Sequence, residues 1–266
     1  MCLLLTALDA HPDYSLVVAA NRDEFYDRPT AAAAFWPEHP KILGGRDLKA
    51  GGTWLGIDRT GRLAAVTNYR QGEREAPAPR SRGLLVSDYL ESDIGVRAHL
   101  ERVEREAALY NGFNLIAGDA RELCYFSNRE GRPRALGPGV YGLSNHLLDT
   151  AWPKVTSSKS ALNALLRGGG SELIPSLFAL LSDRVQPGDE SLPSTGIGLA
   201  WERLLSSAFV ASKEYGTRSS TVVLVGRDGG VVFVERSFGP DGAPAGELRH
   251  EFELNRVDGA GSIPAG

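Results

Sequence analysis

The sequence predicts an α+β fold of four layers, αββα, in which two antiparallel sheets pack together and helices cover both outer faces. Apolar segments of strand length follow one another through tight turns, which favours antiparallel pairing. Segments with helical spacing come in two pairs between groups of strands, instead of alternating singly with strands. A doubly wound parallel sheet does not fit this order, and no G-x-G-x-x-G motif follows the first strand.

The elements follow from local patterns taken in order. Two apolar runs around a short polar turn predict a β-hairpin over residues 2–24. A loop-rich section up to residue 47 follows, then strands at 51–58 and 63–69 and a surface loop at 71–82. The later predictions are helices at 84–90 and 96–109, strands at 111–117, 122–127 and 140–144, helices at 152–166 and 172–181, a short helix near 200–205, and strands at 219–226, 231–237 and 250–255. One domain over residues 1–258 and a frayed tail at 259–266 are expected.

Composition and charge exclude several classes of protein. The 266 residues are 42% apolar and 23% charged, which is typical of a globular protein. A net charge of −4 argues against nucleic acid or a membrane surface as the main partner. No apolar run reaches the roughly 18 residues of a membrane span, and no basic region precedes Leu3, so a secretory signal is not expected. Two cysteines make no disulfide framework. These features predict a cytoplasmic protein, with a homo-oligomer among the open alternatives.

Cys2 is the candidate nucleophile. Because Cys is small, an aminopeptidase is expected to remove Met1, which leaves a thiol and a free α-amine on one residue. The α-amine ordinarily has a pKa of about 7.7–8.0, so near neutral pH it can accept the proton of its own thiol. The alternative is a buried strand residue that behaves as a small hydrophobe. That alternative is the favoured interpretation of Cys124, which lies in an apolar strand.

Five short blocks span most of the chain in order. They are Asn21-Arg22-Asp23-Glu24, Gly51-Gly52-Thr53-Trp54-Leu55-Gly56, Thr67-Asn68-Tyr69-Arg70, Gly142-Leu143-Ser144-Asn145 and Tyr215-Gly216-Thr217-Arg218-Ser219-Ser220-Thr221. As a set, behind Met1-Cys2, they closely resemble the NRDE-motif family, also called the transport-and-Golgi-organisation family. The resemblance implies a fold of the amino-terminal-nucleophile hydrolase type. It also implies a role in haem handling or in acyl-coenzyme A or lipid metabolism, the two proposals made for the family.

A more distant resemblance is to choloylglycine hydrolases and penicillin V acylases, which cleave amides with an amino-terminal Cys. On that pattern Cys2 is the nucleophile and Asp23 holds its α-amine or thiol. Asn68 and Asn145 bind the oxyanion, and Arg218 steadies the site. Amide donors aimed at the developing charge can supply several kcal/mol. The residues expected to bind the substrate are Asn21, Arg22, Glu24, Arg46, Trp54 and His146.

One departure from that pattern concerns the cation beside the thiol. An Arg precedes the Asn of the second-strand motif in that group, whereas Ala20 stands here and Arg22 follows Asn21. In an extended strand Asn21 and Asp23 share a face and Arg22 points away. Arg218 is then the remaining candidate for the thiolate-stabilising cation.

Each site residue also has a purely structural interpretation. Asp23 and Glu24 are able to cap the strand exit or pair with neighbouring arginines. Asn68 and Asn145 end apolar strands, where Asn is a common turn former. Arg218 suits a structural ion pair equally well. The Gly-rich blocks lack the Lys-Ser/Thr ending of a phosphate loop, which argues against nucleotide binding.

No metal site is expected, because the five histidines are scattered without ligand spacing. The leading function is hydrolysis of a small-molecule amide with no cofactor. The alternative is a non-catalytic carrier of a hydrophobic ligand, haem or an acyl thioester. No C-x-x-C-H motif is present, so a haem site would use His, Tyr or Cys2. A glutamine amidotransferase-like half is the third alternative, but it normally needs a synthase domain.

Overall fold

The structure of the chain, a computed structural model, describes residues 2–72, 78–168 and 172–255, and for Cys2 it describes the backbone alone. The strands are β1 (Cys2–Leu8), β2 (Tyr14–Phe25), β3 (Thr30–Phe35), β4 (Ile42–Asp47), β5 (Leu55–Asp58), β6 (Leu63–Asn68), β7 (Phe113–Gly118), β8 (Leu123–Ser127), β9 (Glu130–Leu136), β10 (Gly139–Leu143), β11 (Tyr215–Gly226), β12 (Gly230–Phe238) and β13 (Pro244–Glu253). The helices are α1 (Gly83–Glu91), α2 (Val96–Arg105), α3 (Pro153–Gly168), α4 (Leu173–Leu181) and α5 (Leu199–Leu204). The tail predicted at 259–266 lies outside the described residues.

The strands form two antiparallel sheets. One has the order β10-β1-β2-β11-β12-β13 and the other the order β3-β4-β5-β6-β7-β8-β9. The amino-terminal strand β1 therefore lies inside its sheet, between β2 and β10, with antiparallel partners on both sides. The register of the first hairpin pairs Leu8 with Leu16 and Cys2 with Arg22, which confirms the predicted hairpin.

The side chains of β1 alternate between two apolar clusters, and these clusters define the layers of the fold. Leu4 and Leu8 pack into the cluster between the two sheets, whereas Leu3 and Leu5 pack on the opposite face in the cluster that includes α3 and α4. Helices α1 and α2 cover the outer face of the second sheet in the same way. Because side chains of a strand alternate between faces, a sheet that is apolar on both faces is buried on both. These clusters confirm the predicted αββα order of layers.

The prediction of a loop-rich section up to residue 47 is wrong, because β3 and β4 form there. The Ala-rich and Gly-containing sequence of this segment has low intrinsic strand preference. Gly44 is needed for packing and not for a turn: a Cβ on it would lie 2.8 Å from the backbone oxygen of Leu55. The glycine therefore allows β4 to approach β5 closely.

Strand β9 was also not predicted, since its sequence is charged and contains Pro133. It forms one edge of the seven-stranded sheet. Pro is tolerated at edges because it cannot donate to a neighbouring strand. Among the helices in the described ranges, none combines the length and the apolar character needed to cross a membrane.

His99 lies buried where α2 packs on α1. Its ring is fully buried, with Nε2 3.2 Å from the backbone oxygen of Leu85 and Nδ1 3.2 Å from a guanidinium nitrogen of Arg102. These partners fit the neutral ring, which donates from Nε2 and accepts at Nδ1. Burial lowers the pKa of His99 to about 4, and the nearby Arg102 acts in the same direction.

We expect acid to destabilise the protein through His99. The unfolded chain, with an ordinary His pKa of about 6.5, binds the proton first, so stability is lost as the pH falls from about 6.5 towards 4. A shift of this size corresponds to about 3 kcal/mol of unfolding free energy. Urea unfolding of the wild type and of His99→Gln at several pH values measures it, because the variant lacks this dependence. Equal slopes against pH in both proteins would contradict the prediction.

Candidate active site

A pocket of about 490 Å³ opens at the end of the two central sheets. Its wall combines residues from the carboxyl end of β2, from the β4–β6 region and from the segment that leads into α1. Six of its lining side chains are predicted site residues or their direct neighbours, namely Arg22, Asp23, Glu24, Thr53, Trp54 and Asn68. The pocket therefore collects blocks that are far apart in the sequence.

The pairing of β1 with β2 brings the backbone of Cys2 close to this region. Its partner across the β1–β2 ladder is Arg22, whose side chain lines the pocket. Asp23 follows directly along β2 and pairs with Thr217 of β11. Met1 and the side chain of Cys2 lie outside the described residues. The described backbone thus brings the predicted nucleophile, acid and arginine to neighbouring positions at one end of the sheet.

Asp23 is a buried carboxylate, with only 3% of its surface exposed. The hydroxyl of Thr217 donates to Asp23 Oδ1 at 2.7 Å, and the hydroxyl of Tyr215 donates to the backbone oxygen of Asp23 at 3.1 Å. Burial raises the pKa of Asp23, and the positive charge of Lys154 and the hydrogen bond from Thr217 act against that rise. β11 therefore fixes the carboxyl group in place from the neighbouring strand.

Arg22 lies on the face of β2 opposite to its two flanking site residues. Its guanidinium carbon is 4.1 Å from the centre of the Trp54 ring, and Nη1 donates to the hydroxyl of Thr30 at 3.3 Å. A guanidinium stacked on Trp is held in a fixed orientation by the cation–π attraction. Arg22 and Trp54 both line the pocket, so together they form part of its wall.

Asn21 has a different environment from the one predicted for it. Its Nδ2 donates to the backbone oxygens of Leu181 and Ala208, both at 2.8 Å, and its Oδ1 accepts from Ser220 at 2.6 Å. These bonds use both donor hydrogens of the amide group and one acceptor site of its oxygen, on the helix-covered side of the sheet. Asn21 therefore anchors β2 to the end of α4 and to the segment after α5.

Asn68 ends β6 and Asn145 lies two residues after β10, and the two residues are neighbours although these strands belong to different sheets. Asn145 Nδ2 donates to the backbone oxygen of Asn68 at 2.9 Å, and the backbone nitrogen of Arg70 donates to that of Asn145 at 2.7 Å. Asn145 is completely buried, whereas Asn68 lines the pocket. The two predicted oxyanion residues are thus held together.

A chain of hydrogen bonds secures the backbone around Asn145. Thr67 donates to the backbone oxygen of Ser144 at 2.7 Å, and Asn114 Nδ2 donates to the Thr67 hydroxyl at 3.1 Å. The Tyr125 hydroxyl donates to Asn114 Oδ1 at 2.9 Å and accepts from the backbone nitrogen of Leu148 at 3.2 Å. Burial raises the pKa of Tyr125 to about 12, so its hydroxyl keeps its proton. The network rigidly links the β10–α3 loop to the second sheet.

The other predicted residues lie at the margin of the pocket or away from it. Glu24 lines the pocket, and its carboxylate accepts from the backbone nitrogen of Phe25 at 3.0 Å. Arg218 occupies the bulge of β11 and donates to the backbone oxygens of Phe25 and Arg28, at 2.8 and 3.1 Å. It is not among the residues of the described part that line the pocket. Arg218 thus holds the backbone at the carboxyl end of β2 and in the turn that follows it.

Arg46 and His146 also form local contacts. Arg46 pairs with Glu38 and stacks on Trp36, with its guanidinium carbon 4.1 Å from the ring centre. His146 Nε2 lies 2.9 Å from the Tyr69 hydroxyl, and its Nδ1 lies 2.9 Å from the hydroxyl of Thr150. Burial lowers the pKa of His146. Within the described ranges, no three His, Cys, Asp or Glu side chains are grouped as a metal site.

Sequence reasoning missed two buried charged groups near Asp23. Lys154, in the first turn of α3, is 5% exposed. Arg70 forms an ion pair with Glu202 of α5 at 2.5 Å, with both side chains almost fully buried. Nothing in the local sequence distinguishes Lys154 from a lysine on the exposed side of a helix. Arg70 closes the Thr67–Arg70 block, which was the available signal for it.

Known proteins resemble this chain both in sequence and in fold. A profile of the family described as Transport and Golgi organisation 2 matches residues 1–240. The Transport and Golgi organization protein 2 homolog of Bos taurus is 43% identical over 275 residues, covering 96% of this chain and 99% of the relative. That of Homo sapiens is 42% identical over 260 residues, with 89% and 93% covered.

Among solved structures, penicillin V acylase from Agrobacterium tumefaciens superposes with a TM-score of 0.54. The match covers 97% of this chain and 87% of the acylase, at 14% sequence identity. At this identity the likeness shows the fold alone, and it confirms the fold of the amino-terminal-nucleophile hydrolase type.

Proposed function

The chain belongs to the Transport and Golgi organisation 2 family, and we propose that it hydrolyses the carbon–nitrogen amide bond of a small molecule through an acyl-enzyme on Cys2. The observation that carries the proposal is the register of β1 and β2. The backbone of Cys2 pairs with that of Arg22, the residue before the buried Asp23, and Arg22 and Asp23 both line a pocket of small-molecule size. The fold shared with penicillin V acylase supports the same chemistry.

In the first half-reaction, the Cys2 sulfur attacks the amide carbonyl carbon and its proton passes to the α-amine freed by removal of Met1. The resulting tetrahedral oxyanion collapses, the C–N bond breaks, and the amine leaves with the proton from the α-ammonium group. In the second half-reaction, water attacks the thioester while the α-amine accepts its proton. The carboxylic acid then leaves, and the sulfur regains a proton. Asp23 holds the α-amine in the orientation that both transfers require.

Asn68 and Asn145 are proposed to bind the oxyanion. Asn68 lines the pocket, and Asn145 Nδ2 donates one hydrogen to the backbone oxygen of Asn68; its second hydrogen is the one that we propose binds the reacting oxygen. The chain of hydrogen bonds through Thr67 and Asn114 keeps both residues in place before the substrate arrives. Preorganised donors of this kind stabilise charge that develops in the transition state.

We propose that Arg22 takes the place of the arginine that precedes the Asn in the related acylases, where this chain has Ala20. It lies opposite Cys2 in the ladder, on the pocket face, with its orientation fixed by Trp54. A cation beside a thiol favours the thiolate. Arg218, in contrast, binds backbone oxygens at the exit of β2, so its proposed part is to support the strand that carries Asp23.

A carrier of a hydrophobic ligand, haem or an acyl thioester, is the second candidate function. The pocket volume of about 490 Å³ fits this function as well, because it is in the range of drug-sized ligands. Four arginines in the wall, Arg22, Arg28, Arg80 and Arg82, suit carboxylate or phosphate groups on such a ligand. A carrier needs neither removal of Met1 nor a reactive thiol, and this difference separates the two functions.

Intact-mass spectrometry before and after brief exposure to substoichiometric iodoacetamide tests the proposal. We expect a chain without Met1 that takes up one label, and peptide mapping that places the label on Cys2. Cys124 is a matched internal control, since it is buried and burial raises the pKa of its thiol. Retention of Met1 would leave the α-amine in a peptide bond and would favour the carrier.

A further inference from the structure

The segments 67–69 and 144–146 run side by side, with one hydrogen bond between each pair of residues that lie 77 positions apart. They lie at the ends of β6 and β10, so their contacts join the two sheets. The three bonds run from the Thr67 hydroxyl to the backbone oxygen of Ser144 at 2.7 Å, from Asn145 Nδ2 to the backbone oxygen of Asn68 at 2.9 Å, and between the Tyr69 hydroxyl and His146 Nε2 at 2.9 Å. The contact of Tyr69 with His146 is therefore the direct neighbour of the two proposed oxyanion residues.

The hydrogen bonds of His146 determine which of its ring nitrogens carries the proton. The Thr150 hydroxyl donates to the backbone oxygen of Leu147 at 2.8 Å, so its own oxygen accepts from His146 Nδ1, which lies 2.9 Å away. Burial lowers the pKa of His146, which favours the neutral ring. In a neutral ring with its proton on Nδ1, Nε2 is an acceptor, and the Tyr69 hydroxyl donates to it.

The two rings are held from opposite sides. The backbone nitrogen of Tyr69 donates to the backbone oxygen of Gly112, directly before β7, at 2.9 Å, which fixes Tyr69 to the second sheet. His146 packs beside Trp152, directly before α3, with the ring centres 5.8 Å apart. The rings of Tyr69 and His146 lie 4.9 Å apart. Neither residue is among those of the described part that line the pocket, so both act on the site through their neighbours.

We propose that Tyr69 and His146 are positioning residues of this site, and that their hydrogen bond keeps the side chain of Asn145 on the backbone oxygen of Asn68. Each of the two residues directly follows one of the asparagines, so their bond limits the sliding of one segment along the other. Its consequence for catalysis rests on the proposed function, because Asn145 is the proposed oxyanion donor. The order of the Asn145 side chain, in contrast, can be measured without turnover.

The test measures the exchange of the Asn145 side-chain amide protons with water by NMR. Asn145 is completely buried, so this exchange reports the opening of its contacts. The Asn145→Ala variant identifies the signals. In Tyr69→Phe, which lacks the hydroxyl, we expect exchange to be faster by roughly threefold to tenfold, which is the effect of losing one hydrogen bond of ordinary strength.

Two replacements of His146 form a matched pair. Gln is long enough to place its amide oxygen near the position of Nε2, so His146→Gln should retain the wild-type exchange rate. Asn is too short to reach the Tyr69 hydroxyl, so His146→Asn should exchange as Tyr69→Phe does. Tyr141→Phe is the control for loss of a hydroxyl, since Tyr141 of β10 donates to the backbone oxygen of Gly137, just before that strand begins, at 2.8 Å. Wild-type exchange in Tyr69→Phe, or equal exchange in the two His146 variants, would overturn the inference.

If the protein turns over an amide, Tyr69→Phe should lower kcat by roughly tenfold to a hundredfold with little change in KM, because the oxyanion forms only after the substrate has bound. The same substitution in an Asn145→Ala background should have no further effect on kcat, since Tyr69 acts through Asn145. Equal losses in both backgrounds would show a general structural role and would overturn the inference. An absence of turnover in the wild type counts only against the proposed function, and exchange of the Asn145 amide still decides the role of Tyr69 and His146.

Discussion

Replacement of Cys2 by Ala is expected to abolish amide hydrolysis. The proposed mechanism contains one nucleophile, and without it no thioester forms. Loss of a catalytic nucleophile typically lowers turnover by roughly a thousandfold or more. The measurement is release of a chromogenic amine from a panel of small acyl amides, with trapping of the acyl-enzyme by rapid acid quench and mass spectrometry. The wild type should gain the mass of the acyl group, and Cys2→Ala should not.

Cys124 provides the matched control for this prediction, because it is the second of the two cysteines in the chain. It lies on β8, packed in the cluster beneath α1 and α2, and is 3% exposed. Cys124→Ala should retain turnover and acyl-enzyme formation, although its small cavity lowers stability slightly. A Cys2→Ala variant with wild-type turnover would contradict the hydrolase proposal and leave the carrier as the function to test.

Much of the fold was predictable from local patterns. Strands β1, β2, β11 and β12 are long apolar runs separated by polar turns, and the helices that cover the sheets have clear amphipathic spacing. β3 and β9 were not predictable in this way, because edge strands need no apolar faces and tolerate Ala, charge and Pro. Their existence depends on a neighbouring strand that offers hydrogen bonds.

The site was predictable only as far as the sequence blocks extend. These blocks name Asp23, Asn68 and Asn145, which the structure brings close to the β1–β2 ladder. The rest of the site depends on contacts between residues far apart in the sequence. For example, Asn21 binds a carbonyl group 160 residues further along the chain. No local pattern reveals that kind of partner, or that a helical lysine such as Lys154 is buried with its ammonium group on backbone oxygens. Strand alternation predicts that Arg22 faces away from Asn21 and Asp23, as it does, but the sequence does not reveal that Arg22 then lines the pocket beside Trp54.

The buried ion pair of Arg70 and Glu202 links this site to α5. Arg70 Nη1 lies 2.5 Å from Glu202 Oε2, and the guanidinium carbon lies 4.7 Å from the centre of the Trp152 ring. Glu202 Oε1 also accepts hydrogen bonds from the backbone nitrogen and the hydroxyl of Thr195, at 2.8 and 2.6 Å. Burial lowers the pKa of Arg70, and the carboxylate opposes that effect. The pair therefore holds α5 and the loop before it against the end of β6.

Replacement of Glu202 by Gln is expected to destabilise the protein by about 3–5 kcal/mol, because it leaves the buried Arg70 charge without its carboxylate. For a chain of this size that loss lowers the unfolding temperature by roughly 10 °C, which calorimetry measures. The matched control is Arg203→Gln on the same helix, since Arg203 pairs with Asp189 at the surface, where both side chains are about half exposed. Solvent screens such a pair, so its loss should change the unfolding temperature little. Equal shifts in the two variants would show that the buried pair contributes no more than the surface pair, and that α5 is held by its apolar contacts instead.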